Sequence, residues 1–92
     1  MYIYNVSYDL RKPGKNYSGL TNELKNSPDW WHYLGSTWLI ATRETAGQLY
    51  NRLAQHLDKN DSVLVIRVSN DYSGWLTQEA WDWINKYFRQ AA

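Results

Sequence analysis

The sequence predicts a single α+β domain in which helices pack against a small β-sheet. Strand-like and helix-like spacings of apolar residues alternate along the chain, which is the main signal of that class. Ninety-two residues are enough for one domain only. Six Trp, eight Tyr and one Phe supply the large side chains that so small a core requires. We therefore expect one aromatic-rich core and the element order β-α-β(β)-α-β-α.

The first third of the chain predicts a strand, a turn and a short helix. Residues 2–9 alternate between two faces and are rich in Tyr and Val, as strands are. The pair Pro13-Gly14 predicts a turn in the basic loop that follows. Residues 18–26 carry leucines four positions apart and predict a helix, which Pro28 ends.

The middle third predicts β-structure followed by an amphipathic helix. Residues 30–42 are β-rich, and Gly35 is either a bulge in one long strand or the bend between two short ones. Thr42 is the predicted N-cap of the helix. The apolar stripe of that helix comprises Ala46, Leu49, Tyr50, Leu53 and Leu57.

The last third predicts a strand, a loop and an aromatic helix. Residues 62–68 have the strongest strand signal, with an apolar face formed by Leu64, Ile66 and Val68. Thr77 is the predicted cap of a helix over 78–89, within an aromatic C-terminal segment of about 77–90.

This element order indicates a ferredoxin-like βαββαβ sandwich with an extra C-terminal helix, forming one domain over residues 1–92. The two internal helices would cover one face of the sheet. The other face would carry Ile3, Asn5, Ser7, Val63, Val65 and Arg67. That set is too apolar for a freely solvated face, so we expect a partner chain, the last helix or a ligand to cover it.

Composition excludes several classes of function. The net charge of +1 gives no field that attracts the whole protein to nucleic acid or membrane, so such binding requires a local patch. The absence of Cys excludes disulfides, Cys zinc sites and thiol nucleophiles. The sequence lacks a signal-peptide pattern, and its apolar runs are far shorter than the roughly 20 residues of a membrane span. We expect a cytoplasmic protein.

Asp9 is the candidate catalytic residue. It ends the first predicted strand, where a carboxylate can face a crevice. Two such carboxylates, one from each protomer of a dimer, could hold a Mg²⁺ or Mn²⁺ ion that activates water or stabilises a phosphodiester leaving group. Alternatively, Asp9 is structural and hydrogen-bonds the turn or pairs with Arg11.

The loop after Asp9 is the candidate binding site for phosphate or nucleic acid. Arg11, Lys12 and Lys15 lie within five residues, and Tyr17 follows them. Such side chains hold phosphates through charge and hydrogen bonds. The alternative is an ordinary solvated loop.

Other catalytic signatures are missing from the sequence. His32 and His56 lack the short spacing of metal ligands. No Gly-x-Ser-x-Gly elbow and no Gly-rich phosphate loop occurs. The sequence therefore predicts no definite cofactor, and Mg²⁺ or Mn²⁺ would be needed only if Asp9 is catalytic.

Trp75, Trp81 and Trp83 are the candidate interface or stacking residues. Exposed indole rings stack on bases or anchor protein interfaces. Trp81 and Trp83 lie about 200° apart on a helix, so they cannot both face one core. Neighbouring Trp30 and Trp31 likewise point to opposite faces of a strand. Partner packing, ligand stacking and plain exposure all remain open.

The segments YIYNVSYDL, LGSTWLIAT and DSVLVIRV, with a basic loop and an amphipathic helix between them, resemble the CRISPR-associated protein 2 family. The similarity covers residues 1 to about 69, and the pair Tyr8-Asp9 is its sharpest point. It implies a ferredoxin-like homodimer in which Asp9 is catalytic in some members and structural in others, with Arg11 as a phosphate contact. The family's paired arginines in the first helix are absent here, and the tail after residue 70 has no counterpart. The whole chain also resembles small bacterial and phage proteins of this fold that carry a SinR-like label.

Three functions stay open on the sequence. The first is a dimeric module that binds nucleic acid or nucleotides, including one that sequesters nucleotide signals. The second is a metal-dependent endonuclease that uses Asp9 from each protomer. The third is a protein-interaction or toxin-antitoxin-like component without catalysis, which engages a protein partner through the C-terminal helix.

Overall fold

A four-stranded antiparallel sheet and three helices form an α+β fold. The computed structural model describes residues 1–12 and 14–89, with the backbone alone at Tyr33 and Arg89. In chain order the elements are β1 (Tyr2–Asp9), α1 (Ser18–Lys25), β2 (Asp29–Leu34), β3 (Thr37–Thr42), α2 (Ala46–Ala54), β4 (Ser62–Arg67) and α3 (Gln78–Arg89). Pro13 of the predicted turn and position 90 of the predicted C-terminal segment lie outside the described residues.

The predicted elements are confirmed, with one question about Gly35 answered. Gly35 lies in the turn between β2 and β3, so it marks a bend between two strands rather than a bulge in one. Its φ of +25° lies in the region that side chains with a Cβ rarely adopt. The described helices are too short or too polar to cross a bilayer.

The prediction that Thr42 caps α2 is wrong. Thr45 is the cap: its Oγ1 accepts the Gln48 backbone N–H at 3.1 Å, and its own N–H donates to Gln48 Oε1 at 2.9 Å. This reciprocal pair is a capping box, for which the spacing Thr45-x-x-Gln48 is the sequence signal. Thr42 is the buried last residue of β3, and its hydroxyl donates to Glu44 at 2.9 Å.

The strands lie in the order β2-β3-β1-β4, and every neighbouring pair is antiparallel. Strand β1 is internal and pairs with β3 on one side and β4 on the other, so β2 and β4 are the two edges. Each of α1 and α2 connects two strands that are not neighbours in the sheet.

The main core lies between the sheet and the helices α1 and α2. Its buried members are Tyr4, Val6, Leu20, Leu24, Trp38, Ile40, Leu49 and Leu53. They come from β1, α1, β3 and α2, so the apolar stripes of both helices meet the same face of the sheet. We call this face the α1/α2 face.

The predicted orientation of β4 is wrong. Val63 and Val65 pack against the core on the α1/α2 face. Leu64 and Ile66, the predicted core side, point to the opposite face and are 57% and 53% exposed. The cause lies in the sequence SVLVIR, which is apolar at both parities, so its pattern cannot decide which side faces inward. The register with β1 decides it.

The opposite face is partly covered by α3, and we call it the α3 face. A second group of buried apolar residues lies outside the main core: Ile3, Trp31, Ala41, Ala80 and Ile84. The first three come from β1, β2 and β3, and the other two from α3. The last helix is therefore one of the three expected covers for this face. It leaves Leu64 and Ile66 of β4 exposed.

Asp29 fixes α3 to the edge of the sheet. Its carboxylate accepts hydrogen bonds from the Tyr87 hydroxyl and, at 3.2 Å, from Lys86 Nζ. Burial acts to raise the pKa of Asp29, but the hydrogen bonds from Tyr87 and Lys86 help to outweigh it, and that pKa is lowered. Burial and the same carboxylate raise the pKa of the Tyr87 hydroxyl, which therefore stays protonated. We call Asp29, Lys86 and Tyr87 together the Asp29 latch.

Candidate binding site at the β1–α1 loop

Asp9 lies at the end of β1, where it is paired with Ser62 at the start of β4. Its exposed carboxylate is engaged by Arg11, whose Nη2 and Nε lie 2.6 and 2.8 Å from Asp9 Oδ2. A shallow surface depression over the paired ends of the two strands is lined by residues 7–9 and 62–64. The candidate catalytic carboxylate thus sits in an ion pair, which is one of the two roles expected from the sequence.

Asp61 is the anchor of the basic loop. Its carboxylate accepts the backbone N–H of Arg11 at 2.7 Å and the N–H of Asp58 at 2.8 Å. The Tyr17 hydroxyl lies 2.8 Å from both of its oxygens and donates to the carboxylate. Burial acts to raise the pKa of Asp61, but these hydrogen bonds lower it, so the carboxylate remains charged. Because Arg11 and Tyr17 stand near the two ends of the loop, Asp61 fixes both ends.

The loop between these anchors presents two lysines on a tight turn. The Lys15 N–H donates to the Lys12 carbonyl at 3.2 Å, and Gly14 within the turn has a φ of +79°. Lys12 Nζ lies 3.3 Å from Asp58 Oδ1. Lys15 Nζ lies 5.0 Å from the centroid of the Tyr17 ring, which is a cation–π contact. The predicted loop residues are therefore brought together around Tyr17.

The charges of this surface nearly cancel. Its cations are Arg11, Lys12, Lys15 and Lys59. Its carboxylates are those of Asp9, Asp58 and Asp61. The ion pairs that they form lie at the surface, where such a pair contributes about 0–1 kcal/mol. A phosphate group can therefore displace the carboxylates from Arg11 and Lys12 at little cost, but it meets no strong positive field.

The donor set of one chain does not fit a Mg²⁺ or Mn²⁺ site. Within residues 1–12 and 14–89, no group of three or more acidic or histidine side chains is arranged to hold a metal ion. Asp9 is engaged by Arg11, and the oxygens of Asp61 already accept three donors. A metal at Asp9 would therefore need ligands from a second protomer.

The three candidate tryptophans belong to the α3 side of the molecule and differ in exposure. Trp81 stacks on Tyr72 with 6.1 Å between ring centroids, and Trp83 packs on Tyr87 at 5.0 Å. Both indoles are partly buried within their own chain. Trp75 is 96% exposed. Of the three, only Trp75 presents a whole ring to a partner.

Sequence reasoning missed the acidic half of the site. The sequence pattern assigns no role to the segment DKND, residues 58–61, yet Asp58 and Asp61 hold the basic loop in place. The available signal was the pair of acids directly before a strand. This signal locates the site only when β4 is known to lie beside β1, and the sequence pattern does not show that pairing.

The chain finds no match among protein-family models, nor among curated proteins. The resemblance to the CRISPR-associated protein 2 family therefore stays a prediction from the sequence.

Proposed function

We propose that this protein is a small homodimeric module that binds a phosphate-bearing ligand, nucleic acid or a nucleotide, at the β1–α1 loop. The observation that carries the proposal is the loop anchored at both ends by Asp61. A loop whose two ends are already held loses less conformational entropy when a ligand binds. The side chains of Arg11 and Lys12 are 65% and 56% exposed, so a phosphate can reach them.

Binding at this loop is expected to be weak and sensitive to salt. Each phosphate contact with a cation releases counterions, and the slope of log K against log salt changes by about 0.7–0.9 per contact. Two or three contacts, without base readout, give little preference between sequences. A nucleotide and a longer strand would then differ in affinity mainly by the number of phosphates engaged.

The test is a titration of the protein with labelled single- and double-stranded RNA and DNA and with mononucleotides, at several salt concentrations. Arg11→Ala should weaken binding to all sequences alike and reduce the salt slope by about 1. Lys25→Ala is the matched control, because Lys25 is an exposed cation on α1 that lies over Trp30 rather than in the loop. A loss confined to one sequence, or equal losses in both variants, would contradict the loop as the site.

The ferredoxin-like assignment of the fold is part of this proposal. It is supported by the order βαββαβ followed by α3, and by an antiparallel sheet in which α1 and α2 each pass over one intervening strand. Two such split βαβ units are interlocked in the sheet, with β1 and β3 as the internal strands.

We place the dimer contact at the edge strand β4, with a second copy of the chain as the occupant. Leu64 and Ile66 expose apolar side chains there, and the outer backbone groups of β4 are open within the described residues. Such an edge promotes pairing with another chain unless charge or cover blocks it. A two-fold axis makes the same patch meet itself, which suits an uncharged apolar strip.

Light scattering after size-exclusion chromatography tests the dimer. The wild type should have twice the mass of the 10.9 kDa chain, and Ile66→Lys should shift it to the monomer. Tyr50→Lys is the control, because Tyr50 is a similarly exposed apolar residue on α2. A dimer that survives Ile66→Lys and Leu64→Lys would place the contact elsewhere.

The nuclease alternative gains no support from such a dimer. Pairing of two β4 edges would separate the two β1 strands by three inter-strand spacings, about 14 Å. Two Asp9 carboxylates at that separation cannot share one ion, since Mg²⁺ binds oxygen at about 2.0–2.1 Å. Cleavage that requires a divalent metal and disappears in Asp9→Asn would nevertheless restore this alternative.

A further inference from the structure

The segment that connects β4 to α3 is anchored on both sides of an exposed tryptophan. We call residues 68–77 the strap. The Val68 N–H donates to the Ile3 carbonyl at 2.8 Å, and the Tyr72 hydroxyl donates to Asn85 Oδ1 at 2.6 Å. Beyond Trp75, Thr77 Oγ1 accepts the Ala80 N–H at 3.3 Å. The strap is therefore tied down around Trp75, yet this residue has the most exposed indole among the described side chains.

Trp75 forms one wall of a cleft at the start of α3. The other lining residues are Trp31, Leu76, Thr77 and Glu79. Two indoles and a leucine make the walls apolar, and Glu79 is the charged side chain among them. An aromatic wall with a carboxylate beside it is a combination that favours a planar, positively charged group.

The charge of the surrounding segment also favours a positively charged group. Residues 69–82 contain Asp71, Glu79 and Asp82 and no Lys, Arg or His. A phosphate backbone would therefore meet only negative charge along this segment, whereas the sign of the charge favours a cation. The cleft thus differs in charge from the β1–α1 loop, where cations and carboxylates alternate.

Two other exposed aromatic rings, those of Tyr2 and Trp30, have a cation of this chain over them. Arg67 lies 3.9 Å from the centroid of the Tyr2 ring, and Lys25 lies 5.4 Å from that of Trp30. Both rings are partly exposed. Over Trp75, the described side chains supply no such cation, so its ring face is open to one from outside the chain.

We propose that the cleft between Trp75 and Glu79 binds an arginine side chain of a partner protein. The guanidinium stacks on the Trp75 indole and donates two parallel hydrogen bonds to the Glu79 carboxylate. Leu76 contacts the aliphatic part of the arginine. Arginine is favoured over lysine because a planar guanidinium satisfies both the flat ring and the two carboxylate oxygens at once. This site goes beyond the proposed function and does not depend on it.

The probe for this site is acetyl-Gly-Arg-Gly-amide, with the citrulline peptide as its neutral counterpart of the same shape. Binding is followed by NMR through the indole N–H resonance of Trp75, which Trp75→Phe identifies. The arginine peptide should shift this resonance in a saturable and salt-sensitive manner. The citrulline peptide should bind at least about fivefold more weakly, which corresponds to a loss of about 1 kcal/mol.

Three variants locate the binding. Trp75→Ala and Glu79→Gln should each weaken the arginine peptide by about three- to tenfold, as expected for one cation–π contact or one ion pair. Asp82→Asn is the matched control. It removes one acidic charge of the same helix, and Asp82 does not line the cleft. It should change binding by less than about twofold, through long-range charge alone.

Several outcomes would overturn the proposal. Equal binding of the arginine and citrulline peptides would show that charge is not recognised. Stronger binding of a mononucleotide than of the arginine peptide at the same resonance would make the cleft a base-stacking site. A change in the molecular mass of the protein with Trp75→Ala would make it a contact between copies of this chain. Equal effects of Glu79→Gln and Asp82→Asn would remove the specific role of the cleft.

Discussion

The two faces of the sheet are closed in different ways. On the α1/α2 face, two helices within the βαββαβ unit bury leucines and Trp38 completely. On the α3 face, the helix α3 is held by the Asp29 latch and by buried Ala80 and Ile84, and the β4 side stays open. The comparison indicates that the first face contributes more to stability, while the second leaves apolar side chains of β4 exposed.

The largest expected effect comes from opening the α1/α2 face. Leu49→Ala removes a fully buried side chain of α2 and should reduce the free energy of unfolding by about 2–5 kcal/mol. Ile66→Ala on the α3 face removes an equally large side chain that is half exposed. It should change the free energy of unfolding by less than about 1 kcal/mol. Urea unfolding of both variants in their monomeric state compares the two losses of unfolding free energy. Similar losses would contradict the contrast between the two faces.

The sequence predicts the first face better than the second for a physical reason. A helix with leucines at regular spacing has one apolar stripe, so its inward side follows from the pattern alone. Strand β4 is apolar on both sides, and α3 carries aromatic residues around much of its surface, so neither pattern determines a side. The latch and the loop anchor depend on Asp29 and Asp61, which contact residues 44 to 58 positions away in the chain.

A polar cluster around Arg52 joins the elements that border the α1/α2 face. Its guanidinium donates to the Glu23 carbonyl at 2.6 Å, to Ser27 Oγ at 2.9 Å and to Glu44 Oε1 at 2.9 Å. Arg52→Met should reduce the free energy of unfolding by about 2 kcal/mol, because two partly buried carboxylates lose their partner. Arg43→Met, at an exposed arginine, is the control and should have little effect.

The same cluster gives this prediction a pH dependence. Burial acts to raise the pKa values of Glu23 and Glu44, but hydrogen bonds, the largest of them from Arg52, and the charge of Arg52 outweigh it and lower both below their ordinary value of 4.5. A carboxyl group whose pKa is lowered in the folded state stabilises the protein at pH values above its ordinary pKa. This stability is lost as the pH falls through the pKa of the folded state. The wild type should therefore lose stability below about pH 4.5, more steeply than Arg52→Met. Parallel curves of unfolding free energy against pH would contradict the role of Arg52.

The smallest expected effect concerns the Asp29 latch. Asp29→Asn keeps the shape of the side chain but removes the charge that Lys86 and Tyr87 engage, so α3 should loosen by about 1 kcal/mol. Hydrogen exchange of the backbone amides separates a local effect from a global one: α3 should exchange faster while α1 and α2 keep their protection. Asp82→Asn, an exposed acid on α3 itself, is the control. If every amide were to exchange faster in Asp29→Asn, the two faces would unfold as one unit, and the α3 face would support the fold as much as the α1/α2 face does.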